Sequence, residues 1–219
     1  MHLLFILICS LLFAAKAEQK YVTYTARPEN IRFFYQHNGE QVRVLEGVPR
    51  IDKKVKFATN ATMFGKGYVP IGLYIENGKR INQARVFNNP SVNFGMQPQA
   101  VFAVTKGKKA VIIPIQQRKE AEYAYAVQCA PMLVIGGKIN PKLTRSSSSY
   151  VRSGYGILKD GRVLFALSEE TVTFQQFAQF FVDKGCTEAV YIDGVVSDYW
   201  TPGHAPFPSS AFGIMVGAY

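Results

Sequence analysis

Asp193-Gly194 ends an apolar run, Ala189-Val190-Tyr191-Ile192, and leads into Val195-Val196-Ser197. A carboxylate delivered by a buried strand can serve as base or nucleophile, and the glycine after it lets backbone approach a ligand. The same spacing also suits a plain Asp-Gly turn with a solvated carboxylate, and spacing alone does not choose. Asn60 closes another short run, Phe57-Ala58-Thr59. Asparagine tolerates left-handed backbone and offers both a donor and an acceptor, which fits a site or an ordinary turn. Asn60-Ala61-Thr62 is also a glycosylation sequon. Arg152 precedes a strand, where a guanidinium can fork onto a phosphate or carboxylate oxyanion or simply lie on the surface. Cys129 with one of the three histidines would make a thiol nucleophile, but no flanking signature supports the pairing. Ser168-Glu169-Glu170 precedes a helix, where acids suit the positive end of the helix dipole, and Glu169 joins the chemistry only if it lies beside Asp193.

These residues need strands to carry them. Ile31 to Tyr35 reads as a strand closed by the Asn38-Gly39 turn, with Gln41 to Leu45 returning as a hairpin. Val55 to Ala58 is a further short strand. Ile71 to Ile75 with the residues after Asn77-Gly78 predicts a second hairpin. Ala100 to Val104 and Ala110 to Ile115 predict a third. Tyr155 to Leu158 and Val163 to Ala166, joined by Asp160-Gly161, predict a fourth. Phe212 to Val216 reads as a closing strand. One helix stands out: Thr173 is its N-cap, Gln176 sits at the capping-box position, and Gly185 stops it. Phe174, Phe177, Ala178 and Phe181 make one apolar stripe, so this helix packs on a sheet. Hairpins plus a helix feeding a central strand predict an α/β class: a single domain with a mixed sheet and covering helices.

The ends and the charge bound the setting. Leu3 to Ala15 is apolar apart from Cys9 and Ser10 and ends in Ala15-Lys16-Ala17, an A-x-A-like cleavage site. Residues 1–17 are therefore expected to be a signal peptide, with Glu18 as the mature N-terminus and 18–219 as the domain. The expected location is secreted or periplasmic, without a stable membrane span. Losing Lys16 lowers the formal charge from +10 to +9. Basic residues recur along the chain without zinc-finger spacing or aromatic interleaving, so the expected neighbours are polyanionic envelope material rather than nucleic acid. Cys129 and Cys186 remain after cleavage, and a domain of this size does not need them as a bridge.

One ordered set of segments goes further. It runs Asn60-Ala61-Thr62-Met63-Phe64, Pro70-Ile71-Gly72-Leu73, Gln128-Cys129-Ala130-Pro131-Met132-Leu133-Val134 and Gly137-Lys138-Ile139. It continues through Arg152, Leu164 to Glu170, Tyr191-Ile192-Asp193-Gly194 and Phe212-Gly213. From Phe57 to the C-terminus this order resembles the phosphodiester glycosidase family, relatives of the enzyme that removes N-acetylglucosamine from a phosphodiester cap on mannose. The resemblance implies an α/β domain that hydrolyses the bond between a sugar anomeric carbon and a phosphodiester oxygen. It implies Asp193, Arg152 and Asn60 as catalytic residues, and Gln128, Ser197, Gly194 and Glu169 as substrate-binding ones. Lys138 is a secondary candidate for phosphate. It calls for no cofactor and leaves a divalent cation open, with a sugar phosphodiester or glycan as partner and no indication of oligomeric state. A catalytically silent glycan-binding module on the same fold is the alternative. Ala61 and Thr62 stand where the family pattern has two glycines, Cys129-Ala130 where it has Ser-Gly, and Val195 where it has a small residue. Side chains at those positions are expected to narrow the pocket, alter the substrate or abolish turnover.

Breaking a glycosyl–phosphate bond builds oxocarbenium character on the sugar and negative charge on the phosphate. Phosphate leaves readily, so the demand is for a cation on it and a carboxylate near the anomeric carbon. Arg152 and Asp193 match those two needs.

Overall fold

A computed structural model of the chain describes residues 20–89, 91–207 and 210–219. The expected signal peptide lies outside the described residues. The chain opens with β1 (Tyr21–Ala26) and β2 (Ile31–Phe34), then the tip hairpin β3 (Gln36–His37) and β4 (Glu40–Gln41) at Asn38-Gly39. A five-residue helix, α1 (Gly47–Ile51), leads to β5 (Phe57–Asn60). Two hairpins follow, β6 (Tyr74–Glu76) with β7 (Lys79–Asn82), and β8 (Ala100–Thr105) with β9 (Ala110–Pro114). Next come β10 (Tyr123–Cys129), β11 (Met132–Ile135), β12 (Lys138–Ile139) and the short β13 (Ser149–Tyr150). The fourth expected hairpin is β14 (Ser153–Leu158) and β15 (Val163–Ser168). The chain ends with β16 (Val172–Thr173), α2 (Phe174–Asp183), β17 (Cys186–Asp193), β18 (Tyr199–Trp200) and β19 (Met215–Ala218).

The strands form a six-stranded sheet in the order β1-β15-β14-β17-β11-β12, a five-stranded sheet β7-β6-β10-β8-β9, a four-stranded sheet β18-β5-β19-β2, and two small pairs. Every pairing among them is antiparallel. The expected α/β class is therefore corrected to mainly β. The physical reason is that hairpin after hairpin sets antiparallel neighbours, whereas an α/β sheet needs repeated helical crossovers between parallel ones. Only α2 makes such a connection among the described residues, and even there β14 lies between β15 and β17.

Two cores flank the six-stranded sheet. On one face Phe57, Tyr74, Phe102, Tyr155 and Phe165 pack where the three larger sheets meet. On the other, Phe174, Phe177, Ala178 and Phe181 of α2 cover Leu133, Leu164, Ala189 and Tyr191. The apolar stripe thus does what its spacing predicts, and each buried phenylalanine contributes on the order of 2–3 kcal/mol. Thr173 and Gln176 form the full capping box. The helix lies this close because β14 offers glycines: a Cβ on Gly154 would sit 2.9 Å from the Phe177 ring, and one on Gly156 2.6 Å from that of Phe181. Cys129 and Cys186 are both free and belong to the two different cores. Among the described residues no helix is long and apolar enough to cross a membrane.

Candidate active site at the ends of two neighbouring strands

β14 begins where β17 ends, and Ser153 pairs with Asp193. The register then shifts, so that Gly154 faces Tyr191 and Ile192 is the extra residue. Such a bulge re-aims the side chains after it. Here Asp193 ends the strand while Tyr191 stays in the core beneath α2.

Arg152, one residue before β14, is fully buried. Its guanidinium lies 3.6 Å from the Phe174 ring centroid and 5.3 Å from that of Tyr191. Nε donates to the Val172 carbonyl at 2.8 Å, and Nη2 donates to the Ser148 carbonyl at 2.8 Å and its hydroxyl at 3.0 Å. Nη1 is buried with no partner in good hydrogen-bond geometry, and the Tyr191 phenol is the polar group that interacts with the guanidinium. Burial lowers the arginine's proton affinity, opposed by the neighbouring phenols of Tyr191 and Tyr150. The group stays charged all the same, because an arginine does not deprotonate in a protein.

Tyr191 stands between the two groups that matter. Burial and then the charge of Asp193 raise its phenol well above the ordinary value, while Arg152 pulls it down. Asn93 Nδ2 donates to its hydroxyl at 3.3 Å. Asp193 is half-buried, and its desolvation pushes the carboxyl up to about 6, against the Gly194 N–H that donates to it at 2.7 Å. Gly194 is required by packing: a Cβ there would lie 2.7 Å from the Tyr191 hydroxyl.

A chain of hydroxyls ties the other expected residues to this point. Ser197 Oγ donates to Ser153 Oγ at 2.9 Å, and Ser153 Oγ reaches the Asp193 carbonyl at 3.4 Å. Asn60 Nδ2 donates to Ser153 Oγ at 3.0 Å, while the Asn60 carbonyl accepts from the Tyr155 hydroxyl at 2.7 Å. Asn60 is fully buried, so it is neither an exposed turn asparagine nor an accessible glycosylation acceptor. Outside this network runs a cleft of about 930 Å³ walled by Ser168, Glu169, Ser197, Asp198 and Tyr199. Aromatic rings are part of its lining, with Tyr199 stacked on His204 at 4.1 Å and Phe64 on Tyr68 at 5.3 Å. A second cleft of about 670 Å³, walled by Asn93 and Ser148, opens on the Arg152 side.

Asp193, Arg152, Asn60, Gly194 and Ser197 thus gather at one end of the sheet. Glu169 stands in the cleft wall, where its charge acts on Tyr199. Among the described residues neither a hydrogen bond nor an ion pair joins it to Asp193. Gln128 lies apart: its Oε1 accepts from the Leu73 and Arg85 backbone N–H groups at 3.1 Å each, and its Nε2 donates to the Arg85 carbonyl at 2.5 Å. These bonds hold two chain segments together. Lys138 is exposed at the sheet edge. Sequence reasoning did not single out Tyr191, Ser153, Ser148 or Asn93. Tyr191 read as one apolar residue among four, and only the bulge and the glycine after Asp193 hinted that its hydroxyl faces a polar cluster. Of the extra side chains, those after Asn60 stay out of the cleft, whereas Val195 is part of its lining. Ala61 is packed in the core, Thr62 donates to the Gln128 carbonyl at 2.7 Å, and Val195 is 81% exposed. Cys129 is fully buried with its thiol pushed well above the usual range, which leaves no thiolate for nucleophilic work. Among the described residues no group of three His, Cys, Asp or Glu side chains is placed to hold a metal ion.

The family model for phosphodiester glycosidases matches residues 53–202, which contain every element of this cluster. The chain belongs to the phosphodiester glycosidase family. It is 32% identical over 190 residues to the uncharacterized protein YigE of Escherichia coli (strain K12), covering 83% of this chain and 74% of that one. Its fold is similar to the catalytic domain of zebrafish N-acetylglucosamine-1-phosphodiester alpha-N-acetylglucosaminidase, auto-inhibited by its pro-peptide, at 14% identity. That match has a TM-score of 0.66 and covers 94% of this chain and 85% of the other. A Burkholderia pseudomallei K96243 protein described as exported matches with a TM-score of 0.65 and 9% identity, over 90% of this chain and 73% of that one. At such identities the two structural likenesses speak for the fold alone.

Proposed function

We propose that this chain is an exported glycosidase that cleaves the bond between a sugar anomeric carbon and the oxygen of a phosphodiester in an envelope or extracellular glycan. The observation that carries the reading is a raised carboxyl and a buried arginine, Asp193 and Arg152, that both act on the Tyr191 phenol. In this reading the phosphate presents an oxygen to Nη1 of Arg152, beside the Tyr191 phenol, and competes with Ser148 for Nη2. A fixed cation in a water-poor site stabilises the charge that grows on the leaving phosphate far better than one in water. Asp193 faces the anomeric carbon, as base for water or as nucleophile. A carboxyl with a value of about 6 is mostly ionised at neutral pH and is more basic than a solvated aspartate. Neutral Tyr191 keeps the acid and the guanidinium apart. Ser197, Ser153 and Asn60 fix the strand end from the other side, and Glu169 with the aromatic wall offers polar and flat surfaces to the sugar rings.

The test is hydrolysis of a panel of sugar-1-phosphodiesters by the purified protein, read as released sugar. Release from at least one member, abolished in Asp193→Asn, is expected. Binding of the same compounds without any release would assign the chain to glycan binding instead. Export is tested by intact mass of the protein outside the cytosol, which should begin at Glu18, and a retained Met1 would overturn it.

A further inference from the structure

At the opposite end of β14 from Arg152, a groove of about 920 Å³ has walls drawn from three separate segments. Arg27 follows β1, Lys108 and Lys109 form the β8–β9 turn, and Lys159 and Arg162 flank the β14–β15 turn. Only two carboxylates, Glu29 and Asp160, share the lining, so three positive charges are in excess. Asp160 is already engaged by Arg162 at 2.6 Å, the one ion pair these cations make among the described residues. All five cations are exposed, and β14 separates the groove from the candidate site by roughly 17 Å at about 3.3 Å per residue.

We infer that this groove binds a polyanionic glycan whose units are joined by phosphodiesters, at a place separate from the Asp193 cluster. Exposed cations each attract a single anion weakly, because water and salt screen them. Several held along one concave track act together on a ligand that repeats its charge, and releasing its counterions drives binding. No side chain of the groove is buried around a single anion, which favours a polymer over a small ion. No aromatic ring lines it, so nothing is present to stack nucleobases, which argues for a sugar–phosphate chain over nucleic acid. The polyanion site stands on the groove's own charge, while the choice of phosphodiesters over sulfates or carboxylates rests on the proposed reaction.

The probes are linear polyphosphate of about 20 units, poly(glycerol phosphate), and single-stranded DNA of equal charge, measured by fluorescence anisotropy across a salt series. The variant is Lys108→Glu, Lys109→Glu and Lys159→Glu together. The control is Lys53→Glu, Lys54→Glu and Lys56→Glu, which changes the net charge equally on another exposed stretch. Both are checked by circular dichroism, and a triple variant that does not fold is replaced by its single substitutions. Salt-sensitive binding of the two phosphate polymers is expected, weakened about 30-fold or more by the groove variant and less than about 3-fold by the control. Absence of binding by the unmodified protein, or equal losses in groove variant and control, would overturn the site. Tighter binding of DNA than of either polymer would overturn the choice of ligand.

Discussion

The raised carboxyl of Asp193 makes a prediction about stability as well as activity. Burial moves it from an ordinary 3.8 to about 6. A group whose folded value lies above its unfolded one favours the folded state at low pH, and that contribution is lost as pH rises through the folded value. The gap between 3.8 and about 6 corresponds to about 3 kcal/mol, carried as a penalty at neutral pH by keeping the carboxylate in place. Asp193→Asn removes the charge and keeps an oxygen that can accept the Gly194 N–H. The variant should therefore melt higher than the unmodified protein near pH 7.5, by up to about 6–12 °C for a domain of this size. Near pH 4.5, where most of the aspartate is protonated when folded, the difference should shrink to about 2–4 °C. Turnover should fall by at least about 1000-fold, because the lost charge matters mainly in the transition state. The assay is a pair of thermal unfolding scans at the two pH values, with kinetics at the higher one. A variant that melts lower at neutral pH, or a difference independent of pH, would refute a buried and ionised Asp193. Near-normal turnover would remove it from the chemistry.

Three further outcomes are expected. Arg152→Ala should weaken both binding and turnover by about 30- to 1000-fold, and Arg152→Lys should recover little, because an ammonium cannot hold Val172, Ser148 and a phosphate at once; unaltered binding of an inert substrate analogue would remove the phosphate contact. Cys129→Ser should keep turnover within about 10-fold, since the thiol is inert and buried; a loss beyond about 100-fold in folded protein would restore a thiol mechanism. Gln128→Ala leaves the Leu73 and Arg85 backbone groups unpaired and should cost about 2–4 kcal/mol of stability with little change in KM at temperatures below melting; a raised KM with unchanged melting would make Gln128 a substrate ligand.

Much of the frame was legible because its signals are local. Asn77-Gly78 and Asp160-Gly161 fix hairpins within a few residues of themselves, and the Phe174–Phe181 stripe with Thr173 and Gln176 writes its helix in one span. Pairing between distant strands leaves no such mark. β2 pairs with β19 rather than with the residues after Asn38-Gly39, and the closing strand lies at Met215–Ala218, a few residues beyond the expected start. β1 and β10 were not anticipated, although β10 sits centrally in its sheet. The same distinction divides the site. Asp193-Gly194 announces itself as a strand end, whereas Gln128 looked like a polar residue in a family motif and its three backbone partners lie about 40 to 55 positions away. Val195 does stand in the cleft lining, as its place after Asp193-Gly194 predicts, though it is 81% exposed there.

The misjudged fold class and the candidate site are connected through α2. One strong helix suggested a covering layer, as in an α/β protein. In a mainly antiparallel frame its N-terminus has a more local task. Val172, Thr173 and Phe174 are consecutive, and the outer two hold Arg152: the Val172 carbonyl accepts from Nε and the Phe174 ring lies under the guanidinium. Thr173 between them is locked by its capping box, so the cap that starts the helix also fixes both supports of the arginine. On the other side of β14 the next residue, Ser153, reaches Asn60 and Ser197. Alternation along a strand sends neighbours to opposite faces, so two adjacent residues couple the helix cap to the cleft wall. The strand end is thus clamped from both faces, by the supports of Arg152 on one and by Asn60 and Ser197 on the other, which fixes the position of Asp193 where β17 ends.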